Sequence, residues 1–335
     1  MMDTSINLAN MGGVDWAPRN FDGRFEGPIP MRRGLYMSRN LATINLGMEL
    51  GEERVIGEAR NFGITSEIPP FPSIHIGAAE VIPLELVSAY SAFANLGIRA
   101  TPHAIVRVEN ARGEILWQPM PTHSQVMTAE EAWLMVDMMK DVVRRGTGSG
   151  IWASGFRRPA GGKTGTTNDG TDVWFVGYTA DLVAGVWMGY DRPRKIKANA
   201  QGGILAAPAW TAFMQEVYRR KPAPPDWPRP PGIVVREVDL RSGLLASPYC
   251  GGGPVVTEFF ISGTEPTREC MPAIHSPYYD TTGSIPLDPL PRPRPQPVRS
   301  VDPGTRVQPG TAPLPRPGQT RDTFPMTRGV PISPS

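Results

Sequence analysis

The chain has 335 residues, 40% of them apolar and 20% charged, with a formal net charge of +2. That length holds one large domain or two smaller ones, with room for a real hydrophobic core. The near-neutral charge lacks the dense basic footprint that a backbone-binding surface needs, so no nucleic-acid partner is expected. No secretory signal opens the sequence, and no run of about 18 apolar residues offers a membrane span. Four histidines (His75, His103, His123, His275) and two cysteines (Cys250, Cys270) are too scattered for metal-ligand spacing, so neither a metal nor another cofactor is expected. The cysteines leave two readings open, one disulfide or two free thiols.

Residues 1–27 read as loop with a short extended start. Pro28 and Pro30 lead into a helix over roughly 31–37. Ser38, Arg39 and Asn40 interrupt it, and a second helix is predicted over 41–50. A third, Glu52–Asn61, stops near Gly63. Pro83 suits a first helical turn, and Leu84 to Leu96 carries a helical repeat through Leu86, Tyr90, Phe93 and Ala94 that Gly97 ends. Ala104–Glu109 and Ile115–Trp117 flank Ala111-Arg112-Gly113 as the strands of a hairpin. Thr128 and Glu131 form a capping-box pair. Behind them Met135, Met138, Met139 and Val142 recur at helical spacing to about Arg145, a stripe that reads as core packing.

After Gly146 the period changes. Ala160–Thr166, Val173–Tyr178 and Leu182–Met188 are three β-prone runs separated by short turns, which an antiparallel meander accommodates. A helix over about Ala206–Arg219 is placed to cover one sheet face, giving an α+β core. Residues 221–231 are a proline-rich linker. Ile233–Leu240 and Val255–Ile261 are predicted strands of a small appendix over 232–275. Of 38 prolines, 25 fall in the last 114 residues, and 276–335 is expected to be a disordered tail favouring polyproline-type backbone.

The chemistry concentrates at Lys163-Thr164-Gly165-Thr166-Thr167, at the end of a strand. Lys163 supplies a point charge. The hydroxyls of Thr164 and Thr166 can donate to a carboxylate, and Gly165 lets a ligand lie against the backbone. Alone, the run reads equally well as a solvated edge strand. A phosphate-binding loop would require glycine at position 157, where the chain has Arg157, and a helix after the lysine, where a β-prone run follows. Ser38-Arg39-Asn40 is a weak S-x-N pattern, but it lies between helices about 125 residues ahead of Lys163. That order matches the S-D-N and K-T-G elements of penicillin-interacting enzymes.

Longer stretches strengthen the match. Trp16-Ala-Pro18-Arg-Asn20-Phe-Asp-Gly23, continuing to Gly27, resembles a W-x-P-x-N-x-x-G-x-x-x-G segment. Gly77 to Gly97 resembles a segment closing in an F-A-N-x-G turn. Arg145-Gly146-Thr147-Gly148 precedes the lysine strand, and Val173–Tyr178 follows it. Over residues 1–220, and more loosely 232–270, the chain resembles the transpeptidase domain of bifunctional, class A penicillin-binding proteins.

The resemblance implies a penicillin-binding, β-lactamase-like transpeptidase fold and D,D-transpeptidase chemistry on D-alanyl-D-alanine stem peptides of peptidoglycan, with β-lactams bound by the complete parent. It implies a catalytic set of Ser38 as proton relay, Asn40 as orienting group and Lys163 as electrostatic support. Thr164, Gly165 and Thr166 would bind substrate, with the Thr166 backbone N–H as an oxyanion donor. It also implies a disulfide between Cys250 and Cys270 outside the cytoplasm. The family's attacking serine lies in an S-x-x-K pair. The five lysines, Lys140, Lys163, Lys195, Lys197 and Lys221, are preceded at the required spacing by Asp137, Ala160, Arg192, Arg194 and Tyr218, so the pair is absent. In the family that helix, a membrane anchor and a glycosyltransferase domain lie further upstream. The chain is therefore expected to be the later part of a larger protein at the outer face of the cytoplasmic membrane or in the periplasm, paired with a missing N-terminal half. An inert fragment and a cell-wall protein-binding module are the alternatives.

Overall fold

The computed structural model describes residues 1–11, 14–120, 122–250 and 253–271; the expected tail over 276–335 lies outside them. The chain opens with four short strands, β1 (Met2–Asp3), β2 (Leu8–Met11), β3 (Val14–Trp16) and β4 (Gly27–Pro28). Helices α1 (Met31–Tyr36), α2 (Asn40–Leu50) and α3 (Glu52–Asn61) follow, then a 3-10 turn at Pro72–Ile76. Next come α4 (Pro83–Ala89), α5 (Ser91–Ala94), β5 (Ile98–Ala100), β6 (Val108–Glu109), β7 (Ile115–Trp117) and β8 (His123–Gln125). The second half holds α6 (Ala129–Arg144), α7 (Gly150–Ala153), β9 (Gly161–Thr166), β10 (Val173–Tyr178), β11 (Val183–Met188), α8 (Ala206–Arg220), β12 (Ile233–Asp239) and β13 (Val255–Ile261).

The architecture is α+β. Its centre is an antiparallel sheet in the order β11-β10-β9, with Lys163 opposite Val176 and Gly165 opposite Trp174. Helix α6, which packs against β9, starts on a complete capping box: Thr128 Oγ1 accepts from Glu131 N, and the Glu131 carboxylate accepts from Thr128 N. Residues alternate along β10, so Phe175 is fully buried while Trp174 packs toward Trp187 of the neighbouring strand. Phe175, Trp210, Phe156 and Met214 form the core between this sheet and α8. Met139 is buried on α6, and Met135 packs against a second cluster built on Trp133, Val136 and Tyr178.

The expected single helix from Leu84 to Leu96 is two helices, broken at Tyr90, with Gly97 at positive φ. The opening loop contains strand pairs because β1 finds a partner in β4, a contact that only the folded chain creates. The proline-rich stretch after α8 is packed rather than solvated at Trp227, which is 5% exposed. The Trp227 indole donates to the Ala94 carbonyl at 2.7 Å, and Lys140 lies over its ring while pairing with Asp226. Strands β12 and β13 pair over seven residues and are tied to the helices by Arg32, which bridges Asp137, Asp141 and Glu258 at 2.7, 3.1 and 2.9 Å. Cys250 and Cys270 form a disulfide with their Cα atoms 5.3 Å apart. Among the described residues, no helix is long and apolar enough to cross a membrane.

Candidate active site

Two elements meet at the site. Strand β9 lies at the edge of the three-stranded sheet, with β10 as its strand neighbour. Helix α1 ends at Tyr36, and the chain turns through Met37 and Ser38 before α2 begins at Asn40. The turn needs Ser38 at φ +55°, a left-handed conformation unfavourable for a residue with a side chain. Its amide donates to Leu35 O, and the Arg39 amide donates to Gly34 O.

This turn delivers the Ser38 hydroxyl to β9. Lys163 Nζ donates to Ser38 Oγ at 2.7 Å and to the Thr164 carbonyl at 3.1 Å. Burial disfavours the charged amine and pushes its pKa down to about 8. A lysine in that range holds both protonation states accessible near neutral pH, as a proton relay requires. A phosphate-binding loop is excluded, because Lys163 lies within a strand and β10 follows it.

The other expected residues divide. Thr164 Oγ1 lies 2.7 Å from Thr147 Oγ1. Gly165 faces Trp174: a Cβ there would sit 3.1 Å from the Trp174 Cβ. Thr166 Oγ1 accepts from Gly202 N at 3.0 Å, which leaves its own proton free to donate. Asn40 starts α2, but its amide donates to the Arg19 carbonyl at 2.9 Å; the hydrogen-bonded pair among the expected catalytic residues is Ser38 with Lys163.

Two neighbours of the site carried no role in the sequence reading. Thr147 lies within the Arg145–Gly148 pattern, and its amide donates to Tyr36 O, joining the end of α1 to the rim of β9. Gly202 lies so close to β9 that a Cβ would meet Trp174 O at 2.2 Å and Gly165 O at 2.6 Å. The glycine pair Gly202-Gly203 ahead of a helix was the available signal. Among the described residues no group of three or more His, Cys, Asp or Glu could hold a metal ion. A cavity of about 480 Å³ lies elsewhere, between the start of α1, α6 and the β12–β13 pair, and none of its lining comes from β9.

Comparison with known proteins agrees with this geometry. A family model described as the penicillin binding protein transpeptidase domain matches residues 7–215, and one described as the penicillin-binding protein 1A C-terminal domain matches 229–273. Penicillin-binding protein 1A of Aquifex aeolicus is 36% identical over 258 residues, covering 77% of this chain and 35% of the relative. The Pseudomonas aeruginosa protein of the same name is 32% identical over 327 residues, covering 82% and 38%. The crystal structure of penicillin-binding protein 1A from Haemophilus influenzae superposes with a TM-score of 0.74 at 28% identity, covering 81% of this chain and 45% of that one. The chain thus spans a little over a third of the length of these two curated relatives. Because the transpeptidase model runs through both the turn bearing Ser38 and the strand bearing Lys163, the chain belongs to the penicillin-binding protein transpeptidase family.

Proposed function

We propose that the junction where Ser38 meets β9 is the substrate-binding and proton-relay part of a peptidoglycan D,D-transpeptidase site acting on D-alanyl-D-alanine stem peptides, with β-lactams as mimics. The observation that carries this reading is the 2.7 Å hydrogen bond from Lys163 to Ser38. Thr164 and Thr166 donate to the terminal carboxylate of the peptide, with Gly165 as the substrate-binding residue between them. Lys163 adds positive charge, the Thr166 N–H serves the oxyanion, and Asn40 orients the relay or the substrate amide. In acylation, a serine Oγ bonds to the penultimate D-alanine carbonyl carbon and the peptide C–N bond breaks. The serine proton is passed on, and the departing D-alanine amine receives one through Ser38.

The attacking serine belongs to an S-x-x-K helix that these 335 residues do not contain. By itself the chain is therefore inert toward acylation. We assign residues 1–220 to a partial transpeptidase domain, 221–231 to the linker and 232–275 to a small β appendix, a division supported by the limits of the two matching models. The Cys250–Cys270 disulfide supports a working place outside the cytoplasm, at the outer face of the membrane or in the periplasm.

Intact-mass analysis after incubation with a β-lactam tests the reading. The chain alone should gain no mass. With a segment supplying the S-x-x-K helix, one equivalent should add, on that segment's serine. A stoichiometric adduct on the chain alone, or none in the reconstituted protein, would overturn it.

A further inference from the structure

We propose that the segment from Trp16 to Gly27 is a cradle for the turn bearing Ser38, and that Arg39, seated on buried Asp3, is a positioning residue for the Ser38–Lys163 pair. This inference rests on the transpeptidase reading only for its functional meaning; its geometry stands on its own.

Three successive residues after Ser38 are each tied to this segment or through it. The Arg39 guanidinium donates to Asp3 Oδ2 at 2.9 Å, Asp22 Oδ2 at 2.8 Å and the Arg24 carbonyl at 2.6 Å, with Glu26 at 3.8 Å. Asn40 donates to the Arg19 carbonyl at 2.9 Å, and the Leu41 amide donates to Asn20 Oδ1 at 3.1 Å. Asp3 is itself held, accepting from Asn20 Nδ2 at 2.7 Å and from the Glu26 amide at 3.0 Å. The Arg39 side chain is 5% exposed and that of Asp3 0%.

Such a network is costly to build, because both ions leave water. It makes sense where a backbone must be held against its own preference. Ser38 is left-handed at φ +55°, and among the described residues its small side chain is held by the Lys163 contact. The forked, planar guanidinium reaches a buried carboxylate, a second carboxylate and a carbonyl at once, which a lysine amine at the end of its stem cannot reproduce. Holding Arg39 sets the direction from which the chain leaves Ser38, and so places Oγ over the Lys163 amine.

The test reads the Lys163 amine in the full chain by NMR of isotope-labelled lysine, a tractable spectrum with five lysines. In the unsubstituted chain burial pushes its pKa down to about 8, so the midpoint is expected there. In Arg39→Ala the turn relaxes, water reaches the amine, and the midpoint should rise by about one pH unit or more, in the direction of an ordinary lysine. Arg39→Lys should give an intermediate value. Asp22→Asn, at a half-exposed partner, should keep the fold and produce a smaller rise. Arg236→Ala, which breaks a pair with Glu265 in the β12–β13 region, controls for general destabilisation and should leave the midpoint in place. An unchanged midpoint in folded Arg39→Ala overturns the proposal. Should that variant fail to fold, an unchanged midpoint in Asp22→Asn does so. A shifted midpoint together with absent acylation in the reconstituted protein would sink the transpeptidase reading and leave the positioning role intact.

Discussion

Lys163 reaches Ser38 across 125 residues of sequence, its Nζ donating to the hydroxyl at 2.7 Å. Neither residue has a local reason to be where it is. The lysine pays for its place in solvation, and the serine holds a left-handed backbone. The contact is therefore the point where a sheet edge and a helix turn are fitted to each other.

That fit sets a pH dependence with a definite sign. The Lys163 pKa is about 8 in the fold and about 10.5 in an unfolded chain, so the folded state releases its proton first. Between those values the unfolded chain binds more protons, and stability rises with pH. Below about 8 the cost of the buried charge is present in full. Lys163→Met should accordingly be the more stable protein at pH 7, with its advantage shrinking as pH approaches 10. Tyr90 and Tyr178, both raised by burial, titrate alike in the two proteins and cancel in the difference. Urea unfolding of both proteins at several pH values measures it; an advantage independent of pH would contradict the argument.

Trp227 should act as a core residue despite its proline-rich surroundings. It packs edge-on against Tyr178 with ring centroids 5.7 Å apart and donates to Ala94 O. Trp227→Ala should cost about 3–5 kcal/mol of unfolding free energy, the usual range for removing a buried aromatic of this size. A loss under about 1 kcal/mol by urea titration would show that the segment is a solvated spacer.

Gly202→Ala should disturb the site without touching a titratable group. The added methyl would meet two backbone oxygens, Trp174 O and Gly165 O, which cannot rotate away. The loop must shift, breaking the Gly202 N–Thr166 Oγ1 hydrogen bond. Overpacking of this kind typically costs about 1–3 kcal/mol. We expect a lower melting temperature together with changed amide shifts along 164–166. Shifts confined to 201–203 would refute the contact.

Much of this was legible in the chain. The three sheet strands are marked by runs whose pattern matches a pleated surface, and α6 by a capping box and an apolar stripe. The order of Ser38, Asn40 and Lys163 is equally visible. What escaped the sequence is what only tertiary contact creates. Strands β1 and β4 are two residues each and stabilise one another across the opening segment, so neither has a pattern of its own. Tyr90 sits in an unbroken helical repeat, yet α4 ends just before it and α5 begins just after it. Trp227 is surrounded by prolines that read as a spacer, and its burial depends on Trp133, Tyr178 and Ala94 arriving from elsewhere. At the site, Thr147 and Gly202 gain meaning only from the approach of two loops to β9, and the Asn40 amide is taken by a carbonyl 21 residues earlier.

The disulfide makes the last prediction. Cys250 and Cys270 are separated by 20 positions and enclose β13. Closing a loop of this length removes unfolded-chain entropy worth about 3 kcal/mol in the simplest model. The bridge sits beside other local ties: Cys270 N donates to Leu245 O, and Ser247 Oγ donates to Cys270 O at 2.8 Å. Its loss should therefore loosen the far end of the β12–β13 pair first. The opposite end has independent support, since Glu258 is held by Arg32 and Phe259 packs against Trp133. In the doubly substituted Cys250→Ser, Cys270→Ser protein, amide hydrogen exchange should accelerate around 237–247 and 253–257, while β9 and β10 keep their protection. The same pattern should appear in the parent after reduction. Uniform acceleration through the central sheet would mean that the disulfide supports the whole fold, and unchanged exchange in both experiments would mean that the surrounding hydrogen bonds suffice without it.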